Sequence, residues 1–197
     1  MTSRLFLPIA LLWMVAAIHA QTEAPSRKPA RHQLYGGYTF LSNSFNGLAG
    51  AHYPLSGWDS SFVAFPPWHN LCFKIDVFGY LGTNQGASQK SVFVLSGPQY
   101  FHRFGRESAF IEALAGDGRL SRYWGPNGAP GETASFATVT GGGLDTPISK
   151  RFAIRIEGGY QWSHFGLIKS IVDQEPVYGT PLPRSFGRIS SGLVWNF

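Results

Sequence analysis

Few of the side chains able to move protons, attack bonds or hold metals stand together in this 197-residue sequence. Beyond the first twenty residues, His32, His52, His69, His102 and His164 fall in separate segments. None has the close-spaced partner that brings two imidazoles onto one metal, so no metal or other cofactor is expected. Ser163-His164 with Asp173 or Glu175 has the residue types of a hydrolytic set. Nucleophile and base must lie within hydrogen-bond reach, however, and successive residues on a strand point to opposite faces. No catalytic residue is expected. Gly141-Gly142-Gly143 precedes no helix signal, so it is no nucleotide loop; close backbone approach accounts for it better. One constellation remains: Lys74, Asp76, Glu112, Arg155, Glu157 and Arg188. These six either line a pore or fill a narrow interior as mutually compensated charges, and the second reading is preferred.

The compartment narrows what could position them. Arg4 supplies a basic head, Leu5 to Ile18 is apolar apart from Pro8, and His19-Ala20 precedes polar Gln21. This is the order of a secretory signal peptide over residues 1–20, with cleavage between Ala20 and Gln21. The apolar run falls short of the roughly 20 residues that a spanning helix needs. Residues 21–32, rich in Pro, Ala and charge, read as a flexible periplasmic lead-in. Residues 33–197 are enough for one domain. Loss of Arg4 lowers the formal charge from +5 to +4, and Glu23, Arg27, Lys28 and Arg31 in the lead-in carry half of that. The folded part is therefore nearly neutral and gives no footprint for nucleic acid. Cys72 is the single cysteine, so no intrachain disulfide is available.

Strand signals separated by Gly, Pro, Asn and Ser clusters fill the rest. They predict an all-β fold of eight strands: Gln33–Leu41, Gly57–Phe65, Leu71–Gly82, Ser91–Phe101, Ser108–Gly116, Ala134–Thr146, Phe152–Phe165 and Ser185–Phe197. Several reach the roughly 9–11 residues of a tilted membrane strand. Connections at 66–69, 102–107 and 147–151 are short, whereas those at 42–56, 83–90, 117–133 and 166–184 are longer. Outer-membrane barrels alternate in this way, with tight periplasmic turns and long outer loops.

Faces alternate most clearly in three strands. Phe152, Ile154, Ile156, Tyr160 and Trp162 oppose Ala153, Arg155, Glu157, Gly159 and Gln161. Phe73, Ile75, Val77 and Leu81 oppose Cys72, Lys74, Asp76, Phe78 and Tyr80. Ile189, Leu193, Trp195 and Phe197 oppose Arg188, Ser190, Gly192 and Asn196. A soluble barrel would show the same period with the faces exchanged; signal peptide, strand length and loop asymmetry select the membrane. Tyr38, Tyr80 and Tyr160 would then mark one interface, and Phe65, Trp68, Tyr100, Phe101, Trp195 and Phe197 the other. Pro98 should bulge or end the fourth strand.

The terminal Leu193-Val194-Trp195-Asn196-Phe197 resembles the assembly signal of outer-membrane β-barrel proteins. Gly141-Gly142-Gly143-Leu144-Asp145 followed by Phe152-Ala153-Ile154-Arg155 is similar to the sixth and seventh strands of OmpA/OmpX-like barrels. The resemblance implies a closed eight-stranded antiparallel transmembrane β-barrel in the cell outer membrane, without a peptidoglycan-binding domain. Leu193, Trp195 and Phe197 would be read by the barrel-assembly machinery. Outer-membrane lipid and lipopolysaccharide would surround the barrel. Its outer loops, with Arg119, Arg122, Tyr123, Trp124 and Tyr178, could hold a surface ligand. The implied role is structural or surface-facing and non-enzymatic. Two alternatives stay open: a lipid A deacylase or acyltransferase barrel, although the His-x-Ser arrangement of the deacylases is missing, and a periplasmic lipocalin-like binder.

Overall fold

The computed structural model describes residues 32–42, 55–65, 70–84, 87–124, 131–165, 169–172, 175–178 and 185–197. The expected signal peptide with its Ala20–Gln21 bond, the lead-in up to residue 31, and Trp68 lie outside these residues. Ten strands are present: β1 His32–Ser42, β2 Leu55–Ala64, β3 Leu71–Asn84, β4 Ala87–Phe104, β5 Glu107–Trp124, β6 Gly131–Pro147, β7 Phe152–Ser163, β8 Lys169–Val172, β9 Glu175–Tyr178 and β10 Ser185–Asn196. Eight close into a barrel in the order β1-β10-β7-β6-β5-β4-β3-β2, and β8 pairs with β9 as a separate hairpin.

Closure is made by β1 and β10, antiparallel from Gln33↔Asn196 to Ser42↔Gly187. Beyond that ladder, His32 and Phe197 exchange both backbone hydrogen bonds, at 3.1 Å each. No barrel strand is left as an edge over this stretch, which is the condition for putting a sheet into lipid. At the β4–β5 turn only Gly105 and Arg106 lie between Phe104 and Glu107. Gly105 has φ 62° there, and glycine meets that requirement of a two-residue hairpin without a Cβ penalty.

Apolar residues cover the outside. Phe40, Phe73, Ile75, Ile111, Leu144, Ile154, Ile156, Ile189 and Leu193 are exposed, while Lys74, Asp76, Arg155, Glu157 and Arg188 are buried. This is an inside-out protein. It overturns the lipocalin-like alternative, which needs an apolar cavity and charges in water. The three alternating strands face as their patterns require. Three aromatics expected in the interfacial bands turn inward instead: Tyr80 and Phe101 point into the lumen at 1% and 2% exposure, and Phe65 packs on the same inner cluster as Phe101. Parity decides their placement: even spacings from Lys74 to Tyr80, from Gln99 to Phe101 and from Val63 to Phe65 put them on the lumen face.

The structure also corrects the loops at 83–90 and 117–133. β3 and β4 leave only residues 85–86 between them, and β5 and β6 leave 125–130. Residues 119–124, expected in a loop, are paired backbone of β5. Here exposed Arg119 alternates with buried Leu120, and the hydrogen-bond ladder continues past both. The loop expected at 166–184 contains the β8–β9 hairpin. Pro98 does not end β4. The β4–β5 register is the same on both sides of it, from Ser96↔Ala115 to Gln99↔Glu112, and Pro98 still faces Phe73 of β3.

The two faces of β7 differ enough to be tested directly. Replacing outward Ile154 with Arg should be destabilising, by no more than the about 2–4 kcal/mol that an arginine costs at the bilayer midplane. Ile154→Leu should cost less than about 1.5 kcal/mol. Urea-unfolding midpoints in lipid vesicles measure both; an unchanged midpoint for Ile154→Arg would mean that the faces are reversed.

Candidate functional site: a charged and sealed lumen

The lumen is built in layers. At the inner end, Val63, Cys72, Phe101 and Phe110 form an apolar cluster with Phe65 against it. Phe101 and Phe110 lie 5.3 Å apart, and Phe65 and Phe101 5.0 Å. At the outer end, Leu41, Phe78, Tyr80, Phe93, Leu95, Leu114, Ala137 and Val139 form a second cluster, with Phe165 and Phe186 packed on it. Phe78 stacks on Phe93 at 5.0 Å. Charged side chains occupy the space between the two.

Arg155 makes the layer next to the inner cluster. Its Nε and Nη2 donate to the two carboxylate oxygens of Asp145 at 2.7 and 2.8 Å, and Nη2 also donates to Gln33 Oε1 at 3.0 Å. This two-point geometry suits a planar guanidinium. The group lies over the Phe110 ring at 4.5 Å and near Tyr35 at 5.4 Å. Asp145 stands directly across the β6–β7 ladder from Arg155, so the pair is set by register.

The central layer is a branched network. Lys74 donates to Glu112 at 3.0 Å and to Glu157 at 3.3 Å, with Asp76 at 3.7 Å. Arg188 donates to Asp76 at 3.0 Å, to Glu157 at 2.8 Å and to Asp59. Ser190 donates to Glu157 at 2.9 Å, and Gln99 to Glu112 at 3.1 Å. Arg188 also lies 4.1 Å from the centre of the Phe78 ring. The space lined by Glu112, Val139, Glu157, Gly158, Gly159 and Arg188 does not admit a water-sized sphere.

All six charges singled out in the sequence face the lumen. Five of them meet in the central network, whereas Arg155 pairs elsewhere. Its partner is Asp145, not Lys74, Asp76, Glu112 or Arg188. Asp59 and Asp145 were missed. Asp59 sits in β2, where its alternation with outward Trp58 and Phe62 was the available signal. The adjacent glycines permit the closeness that surrounds this core. A Cβ on Gly141 would meet the Gly158 carbonyl and, at 2.8 Å, the Gly159 Cα; one on Gly143 would meet Phe110 Cζ at 2.7 Å.

The other candidate set does not converge. Ser163 is fully buried, whereas His164 is exposed and stacks on Trp162 at 6.0 Å. The side chains of Asp173 and Glu175 lie outside the described residues. Leu193, Trp195 and Phe197 all point outward, and Trp195 and Phe197 lie 4.8 Å apart.

An apolar exterior around a charged and closed interior defines an integral membrane barrel, of the eight-stranded antiparallel kind found in bacterial outer membranes. Solved structures agree on the fold. Neisserial surface protein A is 13% identical, with a TM-score of 0.63 over 85% of this chain and 98% of that one. Ail, the attachment invasion locus protein of Yersinia pestis, is 12% identical, with a TM-score of 0.56 over 86% of this chain and 100% of that one. It has also been solved in complex with the heparin analogue sucrose octasulfate. The N-terminal β-barrel domain of Pseudomonas aeruginosa OprF is 11% identical, with a TM-score of 0.51 over 86% of this chain and 100% of that one. No family model matches the chain, and no curated protein matches it in sequence.

Arg155→Ala should cost about 3–5 kcal/mol, because it strands the buried Asp145 carboxylate. Removing Asp145 as well should recover part of that loss. A double-mutant cycle on urea midpoints measures the coupling; additive losses would show that the two groups do not act as a pair.

Proposed function

We propose that the chain is a non-enzymatic outer-membrane barrel whose lumen transports nothing and whose role, structural or surface-interacting, lies at its outer strand ends. The sealed lumen carries this reading. Two apolar clusters bracket the charge network, and an eight-stranded barrel is only wide enough for side chains to fill it. A lipid-modifying enzyme would need a nucleophile and base that meet, and Ser163 and His164 face opposite ways. At the outer end, β3 to β6 reach past their neighbours: β6 runs from Gly131, while its pairing with β7 begins at Ala137. Lys90 and Arg119 are exposed on this extension, and Arg122, Tyr123 and Trp124 follow on the same β5 strand. Exposed cations suit phosphate or sulfate groups, such as those of lipopolysaccharide or a surface polyanion; the sulfated ligand of Ail is of this class. At the inner end, outward Leu193, Trp195 and Phe197 would be the signal read by the barrel-assembly machinery.

Purified barrel in planar bilayers should show no conductance steps, and stable ion-conducting steps would overturn the sealed-lumen reading. Deleting Phe197 should lower the amount of folded protein in the outer membrane far more than Trp124→Ala. Burial of one large apolar side chain accounts for only about 1.5–3 kcal/mol. Gel mobility of unboiled membrane fractions reports the folded amount; equal levels of the two variants would remove the targeting role.

A further inference from the structure

The central charges do not balance. Among the described residues, the Arg155–Asp145 layer is neutral, but the layer above it sets Asp59, Asp76, Glu112 and Glu157 against only Lys74 and Arg188. Two negative charges are left over between the two apolar clusters, where an uncompensated buried charge is costly. The excess has a location. Asp59 and Asp76 each use one oxygen on Arg188, while Asp59 Oδ1 and Asp76 Oδ1 are buried with no hydrogen-bond partner.

Two further buried oxygens beside them are also without partners. Ser61 is 2% exposed, its Oγ has no partner, and it pairs in register with Asp76. On the same inner face it lies two residues from Asp59. Tyr35, 1% exposed, also has a partnerless hydroxyl. That hydroxyl lies against Gly37, the register partner of Asp59, and Tyr35 itself pairs with Ser61. Four unpartnered oxygens therefore share adjoining positions on the β1–β2–β3 wall. Carboxylate oxygens of Asp59, Asp76 and Glu157 also lie within 4.8 Å of one another, and Arg188 engages only one oxygen of each.

We propose that this wall binds one hard divalent cation, calcium by preference, through Asp59 and Asp76 with Ser61 and Tyr35 as neutral oxygen donors. The donor set is all oxygen, which selects a hard ion over zinc or copper. Calcium tolerates irregular geometry, whereas magnesium demands a near-ideal octahedron and retains its waters. A charge of +2 cancels the excess of this layer. Arg188 occupies the Oδ2 atoms, which leaves both Oδ1 atoms available to the ion.

The test uses the whole mature chain, folded into detergent micelles in the presence of calcium and then passed through a desalting column. Metal content is measured by atomic emission, and urea midpoints are taken in calcium, magnesium and EDTA at several pH values. The expected result is about one calcium per barrel and a midpoint higher in calcium than in EDTA. Asp59→Asn should abolish retention and remove the calcium response. Ser61→Ala, a mild change that leaves the charges in place, should weaken calcium binding by about tenfold or more. Exposed Asp117→Asn should retain calcium like the parent. Absence of calcium from the parent, or retention unchanged by both Asp59→Asn and Ser61→Ala, would overturn the site. A midpoint in EDTA that rises on acidification and ignores calcium would show that protons supply the missing charge. None of these readouts depends on the outer-end binding role proposed above, so the two fail separately.

Discussion

Lipid offers no hydrogen bonds, and the whole design follows from that. A strand crossing the hydrocarbon layer must satisfy each peptide group on a neighbouring strand, so the sheet has to close on itself. Here the closure is the β1–β10 seam, extended to the last residue by the reciprocal His32–Phe197 pair. Once the sheet is closed, strand alternation has one solution. Outward positions must be apolar, and every polar side chain that remains must share a narrow interior.

That interior explains why the charged residues are many and their partners few in kind. A side chain entering the lumen of an eight-stranded barrel leaves no room for a hydration shell, so its partner must be another side chain. Planar guanidinium groups serve well. Arg155 engages one carboxylate at two points, and Arg188 gathers three carboxylates from β2, β3 and β7. Aromatic faces cover what the carboxylates leave, as Phe110 does for Arg155 and Phe78 does for Arg188. The apolar clusters above and below exclude water and thereby strengthen each of these contacts.

Most of the barrel was legible because the pleat writes its two faces into the sequence. β3, β7 and β10 alternate without a break, and each of their charges turned inward. The outer extension was not legible. Around Gln89, Lys90, Arg119 and Ser121 polar residues dominate, with Leu120 marking the inner face, so pattern reports pairing poorly although the backbone continues to pair. Girdle assignments for Tyr80 and Phe101 failed for a related reason: an aromatic near a strand end suits an interface or a plug, and only its parity decides. The charge partners were legible by type but not by identity. Asp145 and Arg155 belong to neighbouring strands, and their juxtaposition depends on a register that no single strand displays.

The strand order carries one more consequence, for the path by which the chain reaches this state. Each barrel strand from β2 to β7 pairs with the one before it in the chain, and β10 follows β7 across one longer connection. These are hairpin contacts, local in sequence and quick to form. The seam alone joins residues as distant as Gln33 and Asn196, 163 positions apart. Forming it has a closure entropy that grows only with the logarithm of that separation. A growing sheet can therefore assemble hairpin by hairpin and remain open until β10 arrives. The last step then sits where the two ends of the barrel meet, so the residues of β1 and β10 bear on how fast it shuts as well as how firmly it holds.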